Sequence, residues 1–409
     1  MNRSPLSPAA LGLAFALTLA GASPTFAQDD TGSPAEPAPQ PAPGPTDYVN
    51  SADASEWTAI KADDLLVMTL APDAARAPRE VIIQLIPAPF SQGWTQNIRT
   101  LARARWYDAT SVNRVQDNYV VQWGDPNYDN PEAAGKAKPL PDGLNTMREN
   151  AYTALQTGLG AIKEIGQTVS QGSVLRQGEG VDAPSPAMDK AWDIYAAKAG
   201  FVAGWPVAFG NAFQFAVGEL EIPPDVARRY FAASEAASAV PALGALSKDE
   251  ASQESRVTSS SLMATWPVHC YGMVGVGRNY SPDTGSGAEL YTVIGHAPRH
   301  LDRNIALVGR IIAGMAHLSA LPRGTGALGF YSAEEADKRT PIVSIRVASD
   351  LPEAERPAFE YLSTDSGSFA RYADARANRL DPFFIAPSGG ADVCNVPVPV
   401  RAVESAAEE

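Results

Sequence analysis

Two runs dense in β-branched and aliphatic residues, DLLVMTL (64–70) and REVIIQLI (79–86), flank the turn-forming stretch APDAARAP. That pattern predicts a β-hairpin. In QGWTQNIRTLAR (92–103), Trp94, Ile98 and Leu101 fall at steps of four and three, which puts them on one face of a predicted helix. WYDATSVNRVQDNYVVQWGDP (106–126) then predicts strands that carry a single arginine and end in Gln-x-Gly-Asp. Far downstream, TPIVSIRVA (340–348) alternates, with Val343, Ile345 and Val347 as the apolar face of a further strand. The residues between these strand blocks have another texture. TMRENAYTALQTGLGAIKEIGQT (146–168), residues 188–199 and PPDVARRYFAASEAASAV (223–240) have helical composition, and PDGLN, GEGVDAPSP and EIPPD punctuate them as turns. KAGFVAGWPVAFGN (198–211) is too glycine-rich for a good helix. Its Phe201 and Trp205 either form a platform over a bound peptide or pack this region onto the rest of the protein. A helical stretch around FARYADARANRL (369–380) and a final CNVPVPVR close the readable chain.

Composition adds bounds. The chain has 409 residues, of which 45% are hydrophobic, enough for a packed core. Lys and Arg number 32 against 46 Asp and Glu, a formal charge of −14, which repels phosphate backbones, so nucleic acid is not an expected partner. The N-terminus reads as an address: Arg3, the apolar run LGLAFALTLAGA (11–22) and the small residues of Thr25-Phe26-Ala27 predict a signal peptide cleaved after Ala27. The run is shorter than the ~20 residues a membrane span needs. No later segment is apolar enough, so no transmembrane segment is expected after cleavage. Removing Arg3 takes the charge from −14 to −14 − 1 = −15. Residues 28–55, rich in Pro, Ala and Gly at their start, read as a tether without a fold of its own. The expected location is exported, most simply periplasmic.

Cys270 and Cys394 are the two cysteines. In an exported chain they either form a disulfide that ties down the C-terminal tail or remain two buried thiols. TGSGAE lacks the Gly-Lys-Ser/Thr ending of a phosphate loop, and Gly275-Val276-Gly277 lacks the third glycine of a dinucleotide turn. His296 and His300 have helical metal-ligand spacing, but Pro298 between them argues against that helix. Neither a metal nor a cofactor is expected.

The block at 106–126 resembles the active-site strand of the cyclophilin-type peptidyl-prolyl isomerases. Asn97-Ile98 stands where that family has Asn-Phe, and Tyr107-Asp108 where it has Tyr-Asp. A second block, HCYGMVGVGRNYSPDTGSGAELYTVIGHAPRHLDRNIALVGRIIAGM (269–315), follows the family's order of G-x-V-x-M-A-R, S-x-F-F-I, L-D and F-G-x-V-x-x-G-M. The resemblance implies a mainly β fold: a closed eight-stranded barrel capped by helices and built from 56–140 and 265–349. A mostly helical insertion (141–264) and an extension (350–409) are expected additions.

It also implies a site. Arg114 is the residue expected to stabilise the twisted amide of an X-Pro bond. Tyr119 stands for the family's pocket phenylalanine, Val120 for its neighbouring methionine, and Gln122 for the glutamine that binds substrate backbone. Gly277 and Arg278 belong to the first element of the second block, and Tyr291 and Leu301 complete the proline pocket. There are departures: Asn113 stands for histidine, Glu289 for glutamine, His300 for tryptophan and Ile305 for a pocket histidine. Glu289 either orients Arg114 or holds it away from substrate. The expected function is isomerisation of X-Pro bonds in unfolded or partly folded exported proteins, with activity lowered by these changes. The alternatives are a peptide-binding or chaperone module on the same barrel and an envelope structural protein attached through the tether.

Overall fold

The computed structural model describes residues 42–128, 130–157, 195–196, 198–217, 262–386 and 390–403. The signal peptide and the first half of the tether lie outside them, as do 158–194 and 218–261, where most of the expected insertion helices fall.

The first half of the chain gives α1 (Pro45–Asn50), β1 (Trp57–Ala59), β2 (Leu65–Leu70), β3 (Arg79–Leu85), α2 (Gln92–Arg103), β4 (Ser111–Val115) and β5 (Val120–Gly124). Next come β6 (Ala154–Thr157), β7 (Lys198–Val202), β8 (Trp205–Asn211), α3 (Ala212–Phe215) and β9 (Leu262–Pro267). The second half supplies β10 (Met273–Val276), β11 (Leu290–Val293), β12 (Leu307–Ala313), α4 (Met315–Ser319) and β13 (Ile342–Val347). The chain ends with β14 (Phe359–Leu362), α5 (Gly367–Ala377) and β15 (Val400–Ala402).

Eight of these strands form one antiparallel sheet in the order β13-β2-β3-β12-β10-β11-β5-β4. Its two edges meet: the Val112 N–H donates to the Thr340 carbonyl at 2.9 Å and the Ile342 N–H to the Thr110 carbonyl at 2.8 Å. The sheet is thereby a nearly closed barrel, which removes the exposed edges that an open sheet would leave. Its interior holds Leu66, Met68, Ile83, Val121, Trp123 and Val274. The apolar face of α2, Trp94, Ile98 and Leu101, is fully buried over this core, and Leu318 of α4 is buried in it too.

Strand β13 pairs with β2, and Ile345 and Val347 face inward as expected, but at its start Ile342 takes the inward place expected of Val343. Ile342, Ile345 and Val347 are buried while Val343 is 53% exposed. A bulge between Ile342 and Ser344 is the cause, since one extra residue reverses the facing of everything before it.

A second core lies outside the barrel. Strands β6-β9-β8-β7 form a four-stranded sheet, and it packs with α5 and barrel residues Ile86, Phe90 and Leu307 into one apolar cluster. Three expectations change here. Residues 146–157 and 198–199, expected as helix, are loop, 3-10 turn and strand, because pairing with Leu262–Pro267 and within the 198–211 hairpin outweighs local propensity. Residues 265–267, assigned to the barrel, belong to this sheet. Residues 45–50, assigned to the tether, form a helix whose Tyr48 and Val49 pack on the same cluster. Phe201 and Trp205 are buried packing residues: Phe201 meets Phe369 edge-on at 5.0 Å, and Trp205 lies under the Arg310 guanidinium at 4.6 Å. Cys270 and Cys394 form a disulfide with their Cα atoms 5.1 Å apart, anchoring the extension. The extension also pairs β14 with β1 and β15 in a three-stranded sheet.

Candidate active site

Arg114 sits on β4 opposite Gln122 of β5, next to a bulge between Val112 and Arg114. The bulge re-aims the arginine out of the strand's regular alternation and toward the groove. Its Nη1 donates to Gln122 Oε1 at 3.3 Å, its Nε to the Leu328 carbonyl at 2.7 Å, and its Nη2 to Gln116 Oε1. The guanidinium also lies 5.5 Å from the Tyr119 ring centroid and 5.4 Å from that of Phe330. Partial burial holds its pKa below the ordinary arginine value, and the nearby Tyr119 and Tyr291 act in the opposite sense. A guanidinium has five N–H donors. Three are engaged among the described residues, leaving 5 − 3 = 2 for a ligand.

The groove beside Arg114 has a volume of about 710 Å³. Tyr119, Val120, Gln122, Gly277, Arg278, Glu289, Tyr291, Leu301 and Ile305 all line it. Tyr291 and Val120 are buried together with Val293, with Tyr119, Leu301 and Ile305 packed against them, so the apolar end of the groove is one cluster. Arg278 is at the rim, donating to the carbonyls of Asn304 and Asn279. His300 is not part of this lining. It stacks on the outer side of Tyr119 with ring centroids 6.5 Å apart and faces a neighbouring cavity.

The departures have structural explanations. Glu289 Oε1 accepts the Asp125 N–H at 2.7 Å, in a buried position against Gly124. This contact fixes the loop after β5, where Asp125 also accepts from Asn127 and Lys138 N–H groups. Gly124 has φ +152°, and a side chain there would run into the Glu289 carboxylate. Asn113 is a buried bridge that accepts from the Ser111 hydroxyl at 2.6 Å and donates to the Gly124 carbonyl at 3.1 Å. Ile305 supplies an apolar wall in place of a polar one.

Tyr291 heads a buried polar chain. Its hydroxyl is 2.9 Å from His269 Nε2, His269 Nδ1 is 2.9 Å from Asp302 Oδ1, and Arg299 Nε donates to Asp302 Oδ2 at 2.5 Å. The His269 backbone N–H donates to the same Asp302 Oδ1 at 2.9 Å. An ionised Asp302 only accepts, so Nδ1 donates to it, and Nε2 holds the Tyr291 hydroxyl. Burial raises the Tyr291 pKa well above its ordinary value, keeping the hydroxyl a donor. Gly275, directly opposite Tyr291 on β10, makes room for it, since a Cβ there would meet the Tyr291 hydroxyl.

Sequence reasoning missed Gln116, Leu328, Phe330, Tyr128 and Asn130 as groove or arginine partners. Gln116 was within reach of it, two residues beyond Arg114 and so on the same side of an extended chain. Leu328 and Phe330 carry no local signal, because they arrive from a loop far along the chain that bridges back to Arg114.

Comparison with known proteins bears on this arrangement. Residues 92–172 match the family model described as cyclophilin type peptidyl-prolyl cis-trans isomerase/CLD. The second sequence block lies beyond that match. No curated protein matches the chain. Among solved structures, the chain is similar to cyclophilin AquaCyp293 from Hirschia baltica, at 18% identity and TM-score 0.49, covering 85% of this chain and 93% of that one. It is also similar to a Cryptosporidium parvum cyclophilin type peptidyl-prolyl cis-trans isomerase crystallised in the presence of the dipeptide Ala-Pro. That match has 8% identity and TM-score 0.28, covering 69% of this chain and 98% of that one. Within the matched segment, residues 92–124 fold as the capping helix, the arginine strand and the glutamine strand of an eight-stranded barrel, so the part of the chain that is similar to the cyclophilin-type peptidyl-prolyl cis-trans isomerase family is the part that carries Arg114.

Proposed function

We propose that the groove binds X-Pro segments of unfolded or partly folded exported proteins and that Arg114 catalyses rotation about the X-Pro bond. Amide resonance sets a barrier of ~18–20 kcal/mol to that rotation. Twisting the bond frees the prolyl nitrogen lone pair, which then accepts a hydrogen bond that the planar amide cannot. A guanidinium fixed in place favours the twisted state over both planar states, lowering the barrier without moving the equilibrium. The apolar cluster of Tyr119, Val120, Tyr291, Leu301 and Ile305 suits the proline ring, and Gln122 suits the peptide backbone beside it. The observation that carries this reading is Arg114 held at the groove wall by Gln122 and the Leu328 carbonyl with N–H donors still open.

The signal-like N-terminus supports action on exported chains, in the periplasm, where uncatalysed X-Pro isomerisation takes tens of seconds and limits folding. A second reading, a barrel that holds extended segments without turning them over, is favoured by one feature: Gln116 and Leu328 hold the arginine in addition to Gln122. Exchange spectroscopy on a short Ala-Pro peptide separates the two. Wild-type protein should accelerate cis/trans exchange, and Arg114→Ala should lower kcat/KM by about 10²–10³, the cost of one transition-state donor. Binding without acceleration by wild type favours the holding module.

A further inference from the structure

Beside the proline groove lies a second cavity of about 780 Å³, within the usual range for a ligand site. The two share Tyr119, so one stacked pair, Tyr119 on His300, forms the partition between them. The far walls come from outside the barrel strands: Tyr195 of the insertion, Tyr271 beside the disulfide, and Asp392 and Cys394 of the C-terminal extension. The Cys270–Cys394 bond fixes the extension against this site, and Asp392 caps the turn there by accepting the Cys394 N–H at 2.8 Å.

The chemistry of these walls favours a cation. Tyr119, Tyr195 and Tyr271 line the cavity; His300 already stacks on Tyr119 and Arg299 lies 5.9 Å from the Tyr195 ring centroid, which leaves Tyr271, 56% exposed, as the accessible ring. Aromatic faces attract ammonium and guanidinium groups. Arg299, the cation of the cavity wall, is committed to buried Asp302 at 2.5 Å and reaches Asp392 only at 3.9 Å. The Asp392 side chain is 42% exposed and is the outward-facing charge of the pair. The chain as a whole carries −14, which steers basic segments toward it.

We propose that this second cavity is a subsite for a Lys or Arg side chain on the stretch of client polypeptide that flanks the proline. The proposal rests on reading the first groove as an X-Pro site. A four-residue extension spans at most about 14 Å, enough to leave one cavity and enter another that shares its wall.

The test uses the mature full-length protein and one Ala-Pro core peptide, either bare or extended by four residues on its N- or C-terminal side. Each extension carries either Lys or Glu. On one side the Lys peptide should bind roughly 3- to 10-fold more tightly than the Glu peptide. Asp392→Asn should erase that preference while leaving exchange of the bare peptide unchanged. Asparagine retains the side-chain oxygen that caps the Cys394 N–H, so the wall is preserved. Equal binding of Lys and Glu peptides on both sides, or a preference that survives Asp392→Asn, overturns the subsite alone. A bare peptide that wild type does not turn over, together with an intact Asp392-dependent preference, overturns the catalytic reading and leaves the subsite standing.

Discussion

His269→Leu is the perturbation that tests the buried polar chain most sharply. Leucine roughly keeps the volume and removes both ring hydrogen bonds. Tyr291 loses its hydrogen-bond partner at 2.9 Å, in a position only 5% exposed. An unpaired buried hydroxyl costs about 1–3 kcal/mol, and the lost bond to a carboxylate about 1.5–3 kcal/mol. Asp302 keeps the His269 backbone N–H and Arg299 as partners, so its own charge stays compensated. The expected destabilisation is therefore about 2.5–6 kcal/mol. Adding Tyr291→Phe removes the orphaned hydroxyl and should return about 1–3 kcal/mol, so the double variant is more stable than His269→Leu alone. Urea unfolding of wild type, both single variants and the double gives the cycle directly. A double variant no more stable than His269→Leu would refute the reasoning, since it would mean that the hydroxyl never depended on the imidazole.

Two more outcomes follow from the loops around the groove. Glu335 accepts the Thr325 and Ser332 N–H groups and pairs with Lys338 at 2.7 Å, which holds its pKa at about 2 against an ordinary 4.5. A depressed carboxylate pKa gives stability that is present above pH 4.5 and lost as pH falls toward 2. Glu335→Gln should flatten that part of the Tm-against-pH curve, and an unchanged slope between pH 4.5 and 2 would count against the assignment. Replacing both cysteines with serine opens a link between positions 124 residues apart and should cost about 2–5 kcal/mol in denaturant unfolding. A loss below 1 kcal/mol would mean that the extension is held by its apolar contacts instead.

The sequence by itself determined the barrel and most of its site. Period-two runs, the 4-and-3 spacing of Trp94, Ile98 and Leu101, and two ordered blocks carry local information that survives folding because each element's own residues encode its face. Arg114, Val120 and Tyr291 lie on or beside strands that such patterns mark, whereas the grouping of Tyr119, Leu301 and Ile305 with them was an expectation of the family resemblance. Tertiary structure alone decided what depends on distant partners. The residues at 146–157 read as helix and became loop and strand because Leu262–Pro267 arrived to pair with them. Glu289 was expected to act on Arg114, and the fold gives its Oε1 the Asp125 N–H, which the turn after β5 presents. Leu328 and Phe330 reach Arg114 across more than two hundred residues of chain, and His269 meets Tyr291 and Asp302 through the pairing of β10 with β11 and the turn at 299–302. A lone hydrogen-bonding group has many local candidates, and only the closed fold, which removes water as the competing partner, selects one.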